Sequence, residues 1–264
     1  MRSMLRKARV LLIVSYAQMV EFRSEIFLWM LASIFPFIMM AVWVKAGRSD
    51  SYVMSSAMFA QYFIAVFIVR QFTIVWVIHE FEYQVVEGKL SPLLLQPIDP
   101  VWRHVARHIV ERLTRLPFLV VILVTFFILY KDARWSPGVD DLVLGIGMIV
   151  IAFALRFVMQ YTFAMLAFWT ERASSIEGLW FLLYVALSGM LGPLDLFPDT
   201  ARQIAIYSPF PYLIYYPSMI LLGRPVDIEI GAAFMIPLAW MAGFVVLNRV
   251  VWRIALKRYS AMGA

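Results

Sequence analysis

The chain has 264 residues, of which 63% are hydrophobic and 15% charged, with a formal net charge of +6 at pH 7. Soluble domains average roughly 45–50% apolar and about 25% charged residues, so this composition excludes a soluble domain and indicates an integral membrane protein. Cysteine is absent, which excludes disulfides and thiolate metal sites. The positive charges cluster beside apolar runs, a distribution that indicates membrane topology rather than nucleic-acid binding.

The chain opens with a basic segment, residues 1–25. Its short apolar stretch resembles the start of a secretory signal, but Glu21, Arg23 and Glu25 follow before the first long apolar run. We therefore expect a retained amphipathic helix that lies at the cytoplasmic membrane interface.

Six apolar runs are long enough to cross a bilayer as helices, which takes about 20 residues with a range of roughly 17–25. In chain order they are residues 26–44, 57–79, 113–130, 142–168, 176–192 and 232–252. The sequence therefore predicts an all-α integral membrane protein, with one transmembrane domain over residues 1–264.

The distribution of lysine and arginine predicts how this layout is oriented. With the N-terminus placed inside, fifteen of these residues fall on the inner side and six on the outer side. Because cytoplasmic loops carry the excess of positive charge, we expect both termini and the loop over residues 80–112 to be cytoplasmic.

That loop, residues 80–112, is the longest polar interruption between two apolar runs. Within it, Leu90, Leu93 and Leu94 are spaced so that one helical turn places them on a single face. An exposed apolar face needs a partner. The sequence leaves two possibilities open: a helix that lies on the bilayer surface, or a plug that enters a socket on a soluble protein.

The segment before the last predicted span, residues 193–231, is too long for a turn and too apolar for a solvated loop. Prolines at positions 193, 198, 209, 211 and 217 divide it into short helical pieces. Unpaired backbone groups are prohibitively costly in lipid, so these pieces must pack against protein or re-enter the membrane only shallowly. The segment is either a cap over the outer ends of the spans or an outer gate.

Two arginines, Arg70 and Arg156, fall near the middle of predicted spans. A charge there costs at least about 2.5–3.5 kcal/mol unless it is paired or hydrated, so both should face the protein interior. Candidate partners are Glu177, Gln160 and backbone carbonyls. We favour a role in holding helices together, and the alternative is a polar patch on a substrate path.

No phosphate-binding loop of the form GxxxxGK[ST] and no GxSxG nucleophile occurs in the chain. His104 and His108 are one helical turn apart, with Glu111 beyond them, and this spacing permits a shared metal. Such a pair on a basic interfacial helix is more often solvated or bonded to lipid phosphate. We therefore expect no catalytic residue, no metal and no cofactor in this chain.

Two segments resemble the membrane subunits, or permeases, of type-2 ATP-binding-cassette exporters. The first is similar to the acidic-Gly-x-Leu and Leu-Leu-x-x-Pro pattern of the family's first cytoplasmic loop, and comprises Glu87, Gly88, Lys89 and Leu90 followed by Leu93, Leu94, Leu95, Gln96 and Pro97. The second is similar to the family's external re-entrant hairpin before the last span, and comprises Phe197, Pro198, Pro209, Tyr212, Leu222 and Gly223. The chain departs from the family pattern at Pro92 and at Lys89, where a small hydroxyl residue is common.

The resemblance implies a coupling helix over residues 88–97 that docks into a separate ATPase and an external hairpin that acts as a gate. It implies a working unit of two permeases, identical or homologous, and two ATPases that carry the ATP and Mg, in a bacterial inner membrane. Coupling residues would be Glu87, Gly88, Lys89, Leu90, Leu93, Leu94 and Pro97, and gate residues Phe197, Pro198, Pro209 and Tyr212.

The apolar walls of the spans favour an amphiphilic or hydrophobic cargo, such as a drug, a lipid or a lipid-linked glycan. The competing functions are an ATPase-independent channel or secondary transporter, and a structural membrane anchor for a complex. Apart from Glu177 at the start of the fifth run, the spans lack acidic residues, and no inverted repeat is visible, which argues against a secondary transporter.

Overall fold

In the computed structural model, the described residues are 2–21, 28, 34–48, 54–170 and 172–259, and every regular element among them is helical. The all-α prediction is therefore confirmed for this part of the chain. The α-helices are α1 (Arg2–Glu21), α2 (Phe35–Ala46), α3 (Ser56–Thr73), α4 (Val77–Val86), α5 (Ser91–Leu94), α6 (Val101–Leu129), α7 (Val139–Ala164), α8 (Ser175–Leu187), α9 (Asp199–Tyr207), α10 (Tyr215–Leu221) and α11 (Ile230–Arg258). Short 3₁₀ helices occur at Lys131–Ala133, Met165–Phe168, Leu194–Leu196 and Pro211–Leu213.

Four helical stretches are long and apolar enough to cross a membrane, and they coincide with four of the predicted spans. They are Ser56–Val86, Val101–Leu129, Val139–Phe168 and Ile230–Arg258. The other two predicted spans correspond to the shorter helices α2 and α8. The part of the predicted span over residues 26–44 that precedes α2 lies largely outside the described residues.

The helix α8 ends at Leu187, although the apolar run was predicted to continue to residue 192. It has 13 residues, which at 1.5 Å per residue reach roughly 20 Å against a hydrocarbon core of about 30 Å. Gly189 turns the chain with a positive φ of 84°, a conformation that favours glycine. The carbonyl of Ser188 then accepts a hydrogen bond from the Tyr215 N–H at 3.0 Å. The chain leaves the helix to pair with α10.

The helix α3 lies at the centre of the molecule. Its residues 62–67 are all buried, and α2, α6, α7 and α10 pack against it. A helix that is apolar on every side needs such complete cover. The second predicted span is therefore enclosed by protein rather than by lipid.

The buried side chains form two main clusters. The α10 core surrounds α3 and α10 and includes Tyr62, Tyr184 and Tyr215. The α4 core lies around α4, the end of α7 and the end of α11, and includes Phe81 and Phe168. The helix α7 contributes to both, so it connects the two halves of the molecule.

The proline-divided segment over residues 193–231 folds into α9, α10 and two 3₁₀ turns. Residues 209–222 are buried without interruption, and α10 packs against α7 and α3. Burial in protein provides the backbone cover that lipid does not supply.

The N-terminal helix α1 packs along α6. It falls within the interfacial helix predicted over residues 1–25, of which the last four lie outside the described residues. Val10, Ile13 and Val14 are exposed apolar side chains on this helix. The helix therefore has one surface against α6 and an apolar surface directed away from the protein.

Candidate functional site

The connection between α4 and α6, residues 87–100, contains the predicted coupling segment. Gly88 has a positive φ of 68°, and the N–H of Leu90 donates to the carbonyl of Gln84 at 2.9 Å. The four-residue helix α5 follows, with Pro92 in its first turn. A proline is tolerated there because the first N–H groups of a helix lack intrahelical partners. The departure at Pro92 is therefore compatible with a short helix.

The three leucines predicted to share one exposed face are placed differently. Leu90 is 0% exposed and belongs to the α4 core. Leu94 is half-buried against the same core, and Leu93 is also half-buried. The exposed-face prediction is wrong for Leu90, because the turn at Gly88 folds this residue back onto α4.

The outward surface of the connection is formed by Glu87, Lys89, Leu95 and Pro97, which we call the connection tip. Leu95 is 89% exposed, although it was not assigned to the apolar face. Leu95 follows Leu90 by five residues, which in a helix is a rotation of about 140° around the axis. Because Leu95 lies on a different side of the helix from Leu90, it becomes exposed when Leu90 is buried. The spacing of the leucines alone does not show that Leu90 is the buried one.

Contacts from distant parts of the chain hold this connection in place. They are Lys7 Nζ to the Pro97 carbonyl at 3.1 Å, Arg249 Nη1 to Asp99 Oδ2 at 3.2 Å, and Ser91 Oγ to the Tyr259 hydroxyl at 3.2 Å. Asp99 also accepts the N–H of Val101 at 3.0 Å, at the start of α6. The connection is therefore fixed to α1, α6 and the end of α11.

The second span is interrupted between α3 and α4, and α6 provides partners for the interrupted backbone. The N–H of Trp76 donates to His108 Nε2 at 3.0 Å. Arg112 donates to the carbonyl of Phe72, and its Nη2 donates to the carbonyl of Ile74 at 2.6 Å. Unpaired backbone groups are costly in a membrane, so these side chains stabilise the interruption.

His108 is held as a neutral imidazole by these contacts. Its Nδ1 donates to the carbonyl of His104 at 2.7 Å, which leaves Nε2 as the acceptor. His104 and His108 are each 1% exposed, so the prediction that the pair is solvated or bonded to lipid phosphate is wrong. The α4 and α7 side chains Phe81 and Phe157 lie against the two rings and exclude solvent. The described residues hold no group of three His, Asp or Glu suited to a metal.

The polar side chains of α4 connect it to two neighbouring elements. Glu80 contacts Arg107 at 2.8 Å and His104 at 3.3 Å on α6. On the other side, Glu82 accepts from the N–H of Ser174 at 2.5 Å, and His79 Nε2 lies 2.7 Å from Glu177 Oε2. The carboxylate of Glu177 therefore faces His79 and is not the partner of Arg70 or Arg156.

The guanidinium of Arg156 lies over two aromatic rings of α8, at 4.8 Å from the Trp180 centroid and 4.4 Å from the Tyr184 centroid. This contact joins α7 to α8 and supports a role for Arg156 between helices. A further interior arginine, Arg115, was counted among the fifteen residues on the inner side but is buried and paired with Glu111. Helical extension of α6 back to residue 101 brings it inside.

The four predicted gate residues lie at different depths. Pro209 and Tyr212 are buried, Phe197 is half-buried and Pro198 is exposed. The Tyr212 hydroxyl donates to the Ile206 carbonyl at 3.0 Å. Tyr212 belongs to the α10 core and Phe197 packs against it, whereas Pro198 is exposed.

An ion cluster that sequence analysis missed links the two ends of this segment. Arg202 Nε donates to Asp227 at 2.9 Å, and its Nη2 lies 3.2 Å from Asp195. The hydroxyl of Tyr215 also donates to Asp195 at 3.0 Å. The hydrogen bond to Asp227 raises the pKa of Arg202 above its usual value, so the cluster stays charged.

Membrane-long apolar helices around an enclosed, interrupted span define a multi-pass membrane protein. A sequence model described as ABC-2 family transporter protein matches residues 27–263, so the chain belongs to the ABC-2 transporter family. Members of this family are membrane subunits of ABC transporters. No curated protein matches the chain.

Proposed function

We propose that this chain is the membrane-spanning subunit of an ATP-driven exporter in a bacterial inner membrane. Residues 1–264 form one transmembrane domain with six spans, both termini in the cytoplasm and α1 at the membrane interface. Two such permeases, identical or homologous, work with two ATPase subunits. ATP and Mg are bound by those partners.

The observation that carries this proposal is the connection tip. ABC-2 membrane subunits associate with ABC ATPases, and such a partner needs an outward apolar side chain on a firmly held loop. Leu95 is 89% exposed, and Glu87 and Lys89 of the same connection are exposed charges. An exposed apolar residue on a surface that also carries charges is typical of a small docking surface.

The contacts of the connection supply a route by which ATPase movement reaches the transport path. The connection follows directly from α4, whose side chains reach α6 through Glu80 and α8 through His79. A shift of the connection tip would thus move α4, α6 and α8 together. The interruption before α4 allows this movement to occur without bending α3.

At the opposite end, we propose that residues 193–231 form the external re-entrant hairpin and gate, with Phe197, Pro198, Pro209 and Tyr212 at its centre. Burial of this segment in the α10 core supports a closed gate. The predominantly apolar span surfaces support an amphiphilic or hydrophobic cargo.

A single substitution tests the docking role without disturbing the core. Leu95→Asp removes an interface leucine, for which burial contributes about 1.5–3 kcal/mol, or roughly a 10–100-fold change in Kd. We expect the folded subunit to lose its co-purifying ATPase activity. The matched control is Val139→Asp, at a position 78% exposed in the first turn of α7, where an acid is favourable.

Leu90→Asp does not serve this purpose, because it places a charge in the α4 core and is expected to prevent folding. Unchanged ATPase association in Leu95→Asp, or equal loss in Val139→Asp, would contradict the docking role.

A further inference from the structure

Three arginines from three helices lie near one another in the interior. Arg70 lies on α3, Arg115 on α6 and Arg156 on α7. Arg115 is 3% and Arg156 is 5% exposed. Arg70 has Arg115, Arg156 and the hydroxyl of Tyr184 as its electrostatic neighbours. We call these three side chains the arginine cluster.

The arginine cluster has more positive than negative charge. Arg115 is paired with the carboxylate of Glu111. Across the described part of the chain, no carboxylate lies within 4.0 Å of Arg70 or Arg156. Charge in a membrane interior is stabilised by an opposite charge or by water. The cluster therefore lacks a counter-ion from its own described chain.

Several hydrogen-bond donors of the arginine cluster also lack an acceptor among the residues that the structure describes. They are Arg70 Nη1, Arg115 Nε and Nη1, and Arg156 Nε and Nη1. Nearby, the hydroxyl of Tyr184 and the indole N–H of Trp180 are likewise buried without a partner. Because buried donors are almost always paired in folded proteins, this many open donors in one place indicate a ligand.

The chemistry of that ligand follows from the geometry of Arg156. Its flat guanidinium is stacked on the rings of Trp180 and Tyr184, which restricts its rotation and leaves the N–H edge open. A guanidinium edge of this kind binds carboxylate or phosphate oxygens in pairs. A neutral or cationic group would leave the charge excess uncompensated.

The site lies beside α8, which is held mainly through its side chains. Within the described structure, the backbone of α8 does not pack closely along another helix. The large side chains of Trp180 and Tyr184 bridge the space to α7 instead. The outward side of α8 is apolar, with Leu179 and Leu182 exposed. An amphiphile whose charged head is at the arginine cluster would extend its tail past α8 to reach this apolar surface.

We propose that Arg70, Arg115 and Arg156 form a binding site inside the membrane domain for the anionic head of an amphiphile, either a phosphate or a carboxylate. The inference rests on the proposed function only in placing the site on a transport path. The amphiphile is either the cargo or a resident bilayer lipid, and the binding chemistry is the same for both.

The test measures binding by the thermal stability of the full-length chain, purified in an uncharged detergent without an ATPase. Dodecyl phosphate is compared with dodecyl maltoside, and phosphatidylglycerol with phosphatidylcholine of identical chains. We expect a saturable rise in Tm of several degrees with an anionic probe only. The half-saturating concentration should rise at least about tenfold in Arg70→Gln/Arg156→Gln, because each charge-assisted pair is lost.

The matched control is Arg253→Gln, an exposed arginine on α11, which should respond like the parent protein. If the double variant does not fold, Arg156→Lys is used, because it keeps the charge but lacks the paired donors and should weaken binding. A response to phosphatidylglycerol identifies a bilayer lipid, and a response to dodecyl phosphate alone identifies a mobile amphiphile.

Equal responses in the parent and in the arginine variants, or equal responses to charged and uncharged probes, would overturn the proposal. Since no ATPase is present, this result is independent of the docking role of Leu95. A failed docking experiment would leave the anion site standing, and the reverse also holds.

Discussion

Arg112 and Arg156 are both interior arginines stacked on aromatic rings, but their N–H edges differ. The guanidinium of Arg112 lies 3.9 Å from the Phe153 centroid and donates to three backbone carbonyls. The guanidinium of Arg156 lies over two rings, and its Nε and Nη1 have no acceptor within the described part of the chain. The first arginine supplies hydrogen-bond donors to the backbone carbonyls of an interrupted span. The second keeps its donors available for a ligand.

The presence or absence of acceptors for the guanidinium N–H groups distinguishes a structural arginine from a ligand-binding one. It does so more clearly than the position of the arginine along a span. A satisfied guanidinium is expected to contribute to folding, because its removal leaves backbone carbonyls unpaired in the interior. An unsatisfied guanidinium is expected to contribute little to folding and much to binding. Three substitutions test this distinction.

The largest effect is expected for Arg112→Met. It removes the donors to the carbonyls of Phe72, Ile74 and His108. The carbonyl of His108 keeps its helical N–H partner, but those of Phe72 and Ile74 are left unpaired. At about 1–3 kcal/mol for each unpaired group, the free energy of unfolding should fall by at least about 2 kcal/mol. Unfolding of the detergent-purified protein measures this change. Arg112→Lys should recover only part of it, since an ammonium lacks the planar fork.

A smaller effect is expected for His108→Leu. This variant removes the acceptor of the Trp76 N–H, which should lower the free energy of unfolding by about 1–3 kcal/mol. His108→Gln retains an amide oxygen and should be less destabilising. Equal destabilisation by leucine and glutamine would mean that ring packing, rather than the hydrogen bond, explains the role of His108.

The smallest effect is expected for Arg156→Met without an anionic ligand. Loss of the ring contacts, worth about 0.5–2 kcal/mol, is offset by removal of a buried charge that has no carboxylate partner. The free energy of unfolding should change by less than about 1 kcal/mol. A loss as large as that of Arg112→Met would show that Arg156 is structural, and the comparison between the two arginines would fail.

The sequence predicted the features that depend on local pattern. Long apolar runs predicted the four membrane-long helices found among the described residues. The prolines predicted the division of residues 193–231, and Gly88 predicted a turn before α5. These features follow from chain length, backbone restriction and hydropathy, all of which are visible in a single sequence.

Features that depend on distant contacts were not predictable. The interruption between α3 and α4 contains neither proline nor glycine, and its partners, His108 and Arg112, lie more than thirty residues away. Leu90 is buried and Leu95 is exposed because of the way the connection folds onto the α4 core. Spacing identifies which leucines share a face, but tertiary packing decides which face is buried.

The transport assignment depends on contact between the connection tip and an ATPase, and cross-linking measures that contact directly. Because the chain has no cysteine, Leu95→Cys provides a single site for a photoactivatable cross-linker, and Val139→Cys provides the control at the start of α7. The account predicts that position 95 becomes linked in native membranes to a subunit that hydrolyses ATP, while position 139 does not. An ATPase that co-purifies with the chain but is never linked to position 95, or is linked only to position 139, would contradict it.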